Sequence, residues 1–484
     1  RPLSDTKLTA LTADTALVSG DIFYVVVDPA GTPLDRKVSI DTISGAMAVV
    51  SPLADITMFG AGAGTSTTGL RNSGFGDKAL NANVTGTDNV AVGNDALLLA
   101  TGSGSTVVGS TAGNAITTAA NNTVVGFNAL GASVTGANNV AVGKDALALA
   151  TVSSNVAVGY LAGAAVTTGT PNTAVGYQAL NACQTGANNV AVGDDALLLA
   201  TGSGSTVIGS TAGNALTTGA NNTVVGFNAL GACQTGASNE AVGKDALASA
   251  PNGQNTAVGS TAGDAITSAA DNVAVGFNAL GTDVTGANNV AVGSGALALA
   301  TTANNVAVGF NALAALTTGT PNTAVGYAAL ATEQTGTNNV SVGYAALFTS
   351  NGGSDNTVIG HAASYSSTTA DNNTAVGSGA LYTSLTGANN VAVGKNALTL
   401  STASNNTAVG YLAGAALVGG TPNTAIGYQA LNAEQAGVNN VAVGDDALLV
   451  SNGGSGNTVV GSTAANAITT GDNTVTVKKL SGGV

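Results

Sequence analysis

The chain has no tryptophan, one histidine, two methionines and two cysteines among its 484 residues. Charged residues make up 7% and aromatics 4%. An ordinary globular domain is about a quarter charged, so this is not an ordinary surface around an ordinary core. A disordered chain would be poor in Val and Leu and rich in charge; here 44% of residues are hydrophobic. With a single histidine and no cysteine cluster, no zinc site is expected, and no cofactor is implied. Lys and Arg number 11 against 25 acidic residues, giving a net charge of −14. Nucleic-acid binding draws its affinity from basic groups on phosphates, so that class of partner is disfavoured. No apolar run reaches 18 residues, so no membrane-inserted helix is expected. The opening Arg1-Pro2-Leu3-Ser4-Asp5 lacks the apolar core of a secretory signal. No acid, base and nucleophile gather at one point, so an enzyme is not expected.

What fills the sequence is a repeat. Asn89-Val90-Ala91-Val92-Gly93 returns ending at Gly143, Gly193, Gly293 and Gly394, with variants such as Asn172-Thr173-Ala174-Val175-Gly176 between. Taking the last Gly as anchor, 24 copies run from a degenerate one at Gly76 to Gly461, always 16 or 17 residues apart. A worn copy, Asn473-Thr474-Val475-Thr476-Val477, closes the array. Blocks are duplicated as well: Tyr160 to Leu198 matches Tyr411 to Leu449. Growth by whole turns suits a solenoid, in which each turn contacts mainly its neighbours.

Each position of the turn has its own chemistry. Asn stands four residues before the anchor in 22 of 24 copies, with Ser105 and Ser205 the exceptions. Asn tolerates left-handed backbone and bonds its own main chain, so a corner is expected there, with stacked amides forming a ladder. The anchor glycines, Gly93 and Gly176 among them, permit a sharp corner. Val or Ile (Val92, Val175) precedes the anchor. Ala (Ala96, Ala179) follows it by three, usually with Leu next; where Gly takes that place, as at Gly113, a bulky residue arrives later, as Ile116.

Side chains alternate across a strand. The residue before the anchor is Val or Ile, and the one before that is Ala, Val or Ser in every copy after the first. A strand apolar on both faces is usually covered on both. One coil covers only its inner face, so further copies of the chain are expected against the outer one, with the small Ala lane permitting close approach at an axis. Glu240, in the lane after the corner Asn, places that lane near a rim. A period of 16 or 17 suits a flattened coil of two strands and two corners. The fold class expected is all-β: an elongated parallel β-roll or β-solenoid of about 24 turns, expected to assemble as a homotrimeric fibre, with a small N-terminal β module. At roughly 4.8 Å per turn the array would span about 115 Å.

The pattern Asn-Thr-Ala-Val-Gly-Tyr-x-Ala-Leu resembles the repeats of trimeric β-roll heads in trimeric autotransporter adhesins of the YadA type, and those of bacteriophage tail and neck fibres. The resemblance covers about residues 72 to 477 and implies a parallel homotrimer of left-handed β-rolls. It implies a structural fibre located on a virion, a tail or neck appendage. The alternative is the head of a bacterial trimeric surface adhesin, which needs a signal peptide and a membrane anchor. The phage branch is favoured by an N-terminal module over 1–50, with the strand Asp21 to Asp28, a Pro29–Pro33 turn, Arg36 to Ile40, and Arg1 and Lys7. Its expected role is docking to other virion proteins. A Gly-rich transition follows over 51–71 and a tail over 478–484, with no stalk or anchor strands. An ice-binding solenoid would need an unbroken Thr lane, but Thr alternates with Val here.

Outside the repeat positions, candidate chemistry is thin. Ten of the seventeen aromatics stand just after an anchor, including Phe127, Tyr177, Phe227, Phe277, Tyr327 and Tyr428. They are expected either to pack along a corner column or to offer a surface to a host glycan or receptor. His361 occupies the same slot and is expected at the surface. Asp194-Asp195 and Asp445-Asp446 are expected on opposite faces of a strand, and so not as a catalytic dyad. Cys183 and Cys233 share a slot with Asn83, Ser133, Asp283, Glu333 and Glu434, which predicts an exposed polar position and no disulfide between them.

Overall fold

A computed structural model describes residues 22–26, 35–39, 56–249, 252–282, 285–451, 453–466 and 471–478. Every regular element among them is a β-strand. The chain divides into two compact units, Arg1–Asn188 and Asn189–Val484.

In the first unit, strands Ile22–Val26 and Asp35–Ser39 pair antiparallel as a separate two-stranded sheet. The remaining calls for this segment, the Pro29–Pro33 turn and the basic residues Arg1 and Lys7, lie outside the described residues, as does the tail beyond Lys478. The repeat ladder starts at Thr57–Phe59, one turn before the Gly76 copy and inside the segment read as a Gly-rich transition. Phe59 lies opposite Phe75, and Gly60 takes the anchor's place with φ +140°. Met58-Phe59-Gly60 is too far from Ala-Val-Gly to be seen as a copy. From there each strand pairs in parallel with the next, Val90–Val92 with Thr106–Val108 for example, up to Asn172–Val175. The second unit repeats the arrangement from Asn189–Val192 to Val475–Val477. Its worn last copy pairs with Thr458–Val460.

The all-β parallel solenoid is thus present, with one difference. Each turn holds a single strand of three or four residues, not the two expected. The residues two and four past the anchor are left-handed, Asp95 at φ 52° and Leu97 at φ 50°, and left-handed residues do not continue a strand. Inter-turn bonds persist there all the same: Asp95 N–H donates to Asp77 O at 2.9 Å and Leu97 N–H to Ala112 O at 3.0 Å. The backbone groups of this side are therefore paired without a regular strand.

The left-handed site explains the exchange of Leu and Gly. Gly113 has φ 54° at the position where Leu97 has 50°. A left-handed Leu costs about 1–2 kcal/mol. Burying its side chain returns about 1.5–3 kcal/mol, and Leu97 is fully buried. Where Gly relieves the backbone, Ile116 fills the same interior and is fully buried too. The core is narrow: the central strand residue (Ala91, Val107, Val124), the Ala three past the anchor (Ala96, Ala129) and one bulky side chain per turn are all buried. This corrects the expectation for the small Ala lane. It lines the inside of its own coil and is not available to an axis between copies. The anchor must be Gly for two reasons. Gly93 has φ +139°, and a Cβ there would sit 2.4 Å from Gly109 O in the next turn.

Candidate functional site

The sequence-derived repeat residues form a lattice between turns. Asn89 N–H donates to Asn72 Oδ1 at 3.0 Å, and its own Nδ2 donates to Gly102 O at 2.9 Å. Asn172 does the same with Asn155 Oδ1 and Gly186 O, both at 2.9 Å. The amide ladder is present, but most of its links run between side chain and backbone. Ser105 keeps it going: its N–H bonds Asn89 Oδ1 and its Oγ accepts from Asn122 N–H at 3.2 Å. The left-handed corner falls one residue earlier than expected, on Asp88 (φ 61°) and Asn138 (φ 58°). The ladder Asn itself is buried, its amide being spent on the neighbouring turns.

On the strand, Ala91 faces in while Val90 and Val92 face out, each 37% exposed. The outer lane before the anchor opens with Phe59 and Phe75 and is Val or Ile from Val92 onward in each unit: Val108, Val158, Ile208, Val258, Ile359 and Ile426 are exposed members. The parallel lane three before the anchor mixes Val and Thr. It holds exposed Glu240 between Thr223 and Thr256.

The aromatics after the anchor are half exposed and mostly stacked. Tyr160 lies on Tyr177 at 5.4 Å between centroids, and Tyr411 on Tyr428 at 5.4 Å. Phe310, Tyr327, Tyr344 and His361 form one stack with spacings of 5.1–5.2 Å. His361 is at the surface, as expected, and ends that stack. Lys144 sits between Phe127 and Tyr160, its Nζ 5.9 and 5.4 Å from their centroids. Stacked rings use their faces on one another. Phe227 and Phe277 differ: no ring stacks on either among the described residues, and Phe277 is the most exposed of the column at 62%. A second stack, Phe348, Tyr365 and Tyr382, stands five residues past three successive anchors at 5.1 and 5.3 Å. Sequence reasoning missed it, although the equal spacing of these three residues was visible.

Two further expectations are corrected. Asp194-Asp195 and Asp445-Asp446 are not on a strand. They lie in the turn after the anchor, where Asp195 is left-handed at φ 53°. Burial, with the charge of Asp194 second, pushes the Asp195 carboxyl above the usual range. Its Oδ1 is buried without a hydrogen bond. In the same slot the Lys244 side chain, then Asn228, hold Asp245 below the usual range. No group of three His, Cys, Asp or Glu side chains gathers among the described residues.

Cys183 and Cys233 are fully buried, not exposed. Burial raises both thiols, which makes them unreactive; both are free. Their slot is an interior lane, and Asn83, Ser133, Glu333 and Glu434 are buried in it as well, while Asp283 lies outside the described residues. The lane is polar because it caps a backbone turn. Gly86 N–H donates to Asn83 Oδ1 at 2.9 Å, and Gly336 N–H to Glu333 Oε1 at 2.5 Å. Glu333 also accepts from Thr335 N–H at 3.0 Å, Gly352 N–H at 2.8 Å and Ser350 Oγ at 2.6 Å.

Comparison with known proteins finds no matching family model, no similar curated protein and no similar solved structure.

Proposed function

We propose that the chain is a structural fibre of a phage virion, a tail or neck appendage in which three copies assemble side by side. The observation that carries this is the outer strand lane. Val92, Val158, Ile208, Val258 and Ile426 stand 37–42% exposed in the single chain. An apolar lane of this kind, present in each unit, marks an interaction surface. A second copy fits best, because the lane repeats at the spacing of the turns and a parallel copy carries the same spacing. Seventeen strand-to-strand steps of about 4.8 Å in the second unit, at a contact width of about 10 Å, give about 800 Å² per partner. That is the usual size of a stable interface. The lane holding Glu240 then lies at the rim. The separate hairpin Ile22–Val26/Asp35–Ser39 suits a docking module for other virion proteins.

Contact with a host glycan is to be sought at Phe227 and Phe277, whose ring faces are not covered by neighbouring rings. A glycan array with the intact protein tests it: signal lost in Phe227→Ala and Phe277→Ala supports contact, while no binding leaves the column a packing role. The head of a bacterial trimeric adhesin uses the same lane. Immunogold labelling separates the two, with label on purified particles expected and label only on cell surfaces overturning the virion assignment.

A further inference from the structure

Three asparagines are followed directly by glycine: Asn252, Asn351 and Asn452. Such a pair is chemically labile. The glycine nitrogen attacks the asparagine Cγ and loses its proton; ammonia leaves from Cγ and a five-membered imide closes. Water then adds to either imide carbonyl and opens it to aspartate or isoaspartate. The sum is an amide plus water going to an acid plus ammonia. Glycine favours closure because no Cβ shields its nitrogen. A nitrogen whose N–H is held by a fixed acceptor must break that bond before it can attack.

At Asn351 both flanking N–H groups are held. Its own donates to Thr368 O at 2.8 Å, and that of Gly352 donates to Glu333 Oε1 at 2.8 Å. Glu333 is itself fixed from three other sides and fully buried. Gly453 N–H, which follows Asn452, is held in the same way by Glu434 Oε1 at 3.0 Å. These two buried glutamates each stand one turn before a Ser-Asn-Gly-Gly-Ser loop. Carboxylate and loop therefore occur together within the chain's own repeats.

At Asn252 the side-chain Nδ2 donates to Ser268 O, but the N–H that follows it has no such clasp. Gly253 stands six residues before its anchor, a place whose N–H in several other turns donates to a serine one turn on. Thr87 bonds Ser103 Oγ at 2.9 Å, Ala137 bonds Ser153 Oγ at 3.0 Å and Ala388 bonds Ser404 Oγ at 3.0 Å. For Gly253 the matching residue is Ala270, which has no oxygen to offer. No bond from Gly253 N–H is found among the described residues, and Asn252 is exposed. We propose that Asn252 is a self-modification site, deamidating spontaneously through the imide, and that Glu333 is the clasp that spares Asn351. The same rule covers the exposed corner asparagines. Asn138 is followed by Asn139, whose N–H is held by Asn122 Oδ1 at 2.8 Å, and Asn288 by Asn289, held by Asn272 Oδ1 at 2.8 Å.

Peptide mapping by mass spectrometry, on the full chain aged in mildly alkaline buffer, tests this. Asn252 is expected to convert about tenfold or more faster than Asn351, the factor for one charge-assisted hydrogen bond. Ala270→Ser gives Gly253 its acceptor and is expected to slow Asn252 alone. Glu333→Ala is expected to speed Asn351 and leave Asn252 unchanged. Equal rates at Asn252 and Asn351 in the unaltered protein, or an Ala270→Ser chain that converts as before, would overturn the proposal. If Glu333→Ala opens the coil locally, the nearby Asn338, whose following N–H is held by Asn322 Oδ1 at 3.0 Å, speeds up with Asn351, and the Ala270→Ser comparison decides.

Discussion

Two residues past each anchor lies a left-handed slot of varied residue type, and an Asp there is bonded where the previous turn supplies an Asn. Asn128 Nδ2 reaches Asp145 Oδ1 at 2.8 Å, and Asn228 reaches Asp245 at 2.8 Å. Asp195 has no such donor, and its carboxyl lies above the usual range. A raised acid binds its proton more tightly folded than unfolded, so it weakens the fold above that pKa and stops doing so as pH falls. Asp195→Asn should therefore raise the thermal midpoint at pH 7, with the advantage shrinking on acidification toward the unfolded value of about 3.9. Thermal melts of both proteins across pH 3–8 check this; a lower midpoint at pH 7 would contradict it. At the anchor, Gly293→Ala meets both φ +136° and an approach of 2.4 Å to Gly309 O. A loss of at least about 3 kcal/mol is expected, read from denaturant unfolding. The sequence showed that the anchor had to be Gly and that the ladder Asn mattered. It did not show that the slot of Cys183 and Glu333 faces inward, because polarity there serves a buried N–H and mimics a surface pattern.

At the scale of the element, the unit is the turn. Its period, order and start-to-end copying were legible because every copy solves the same packing problem. Its inner form was not: a period of 16 or 17 suggested two strands, whereas left-handed residues such as Asp95 and Leu97 replace the second strand with a run of turns. The first turn was also hidden, since Met58 fills the interior in place of Ala. Turns that contact mainly their neighbours can be removed whole. Deleting residues 260–276, one full 17-residue step between anchors, should leave a folded protein with a midpoint within a few degrees of the parent. Deleting residues 260–267 breaks the register of every inward side chain and should unfold that region. Circular dichroism and limited proteolysis of the two deletions check the contrast.

For the whole molecule, the question is what covers the outer lane. Each coil satisfies its own backbone and core, as the buried Ala and Asn lanes show. The outward Val and Ile are what remains. This part was legible in the two-sided apolar strand, although the side was not: the Ala lane turned out to be interior and the Val lane exterior. Sedimentation equilibrium of the intact chain, alongside a Val258→Asp variant, tests the assembly most directly. Three chains per particle are expected for the parent, with weakened association for the variant and no loss of its strand signal. A folded parent sedimenting as a single 45.8 kDa chain would contradict the account.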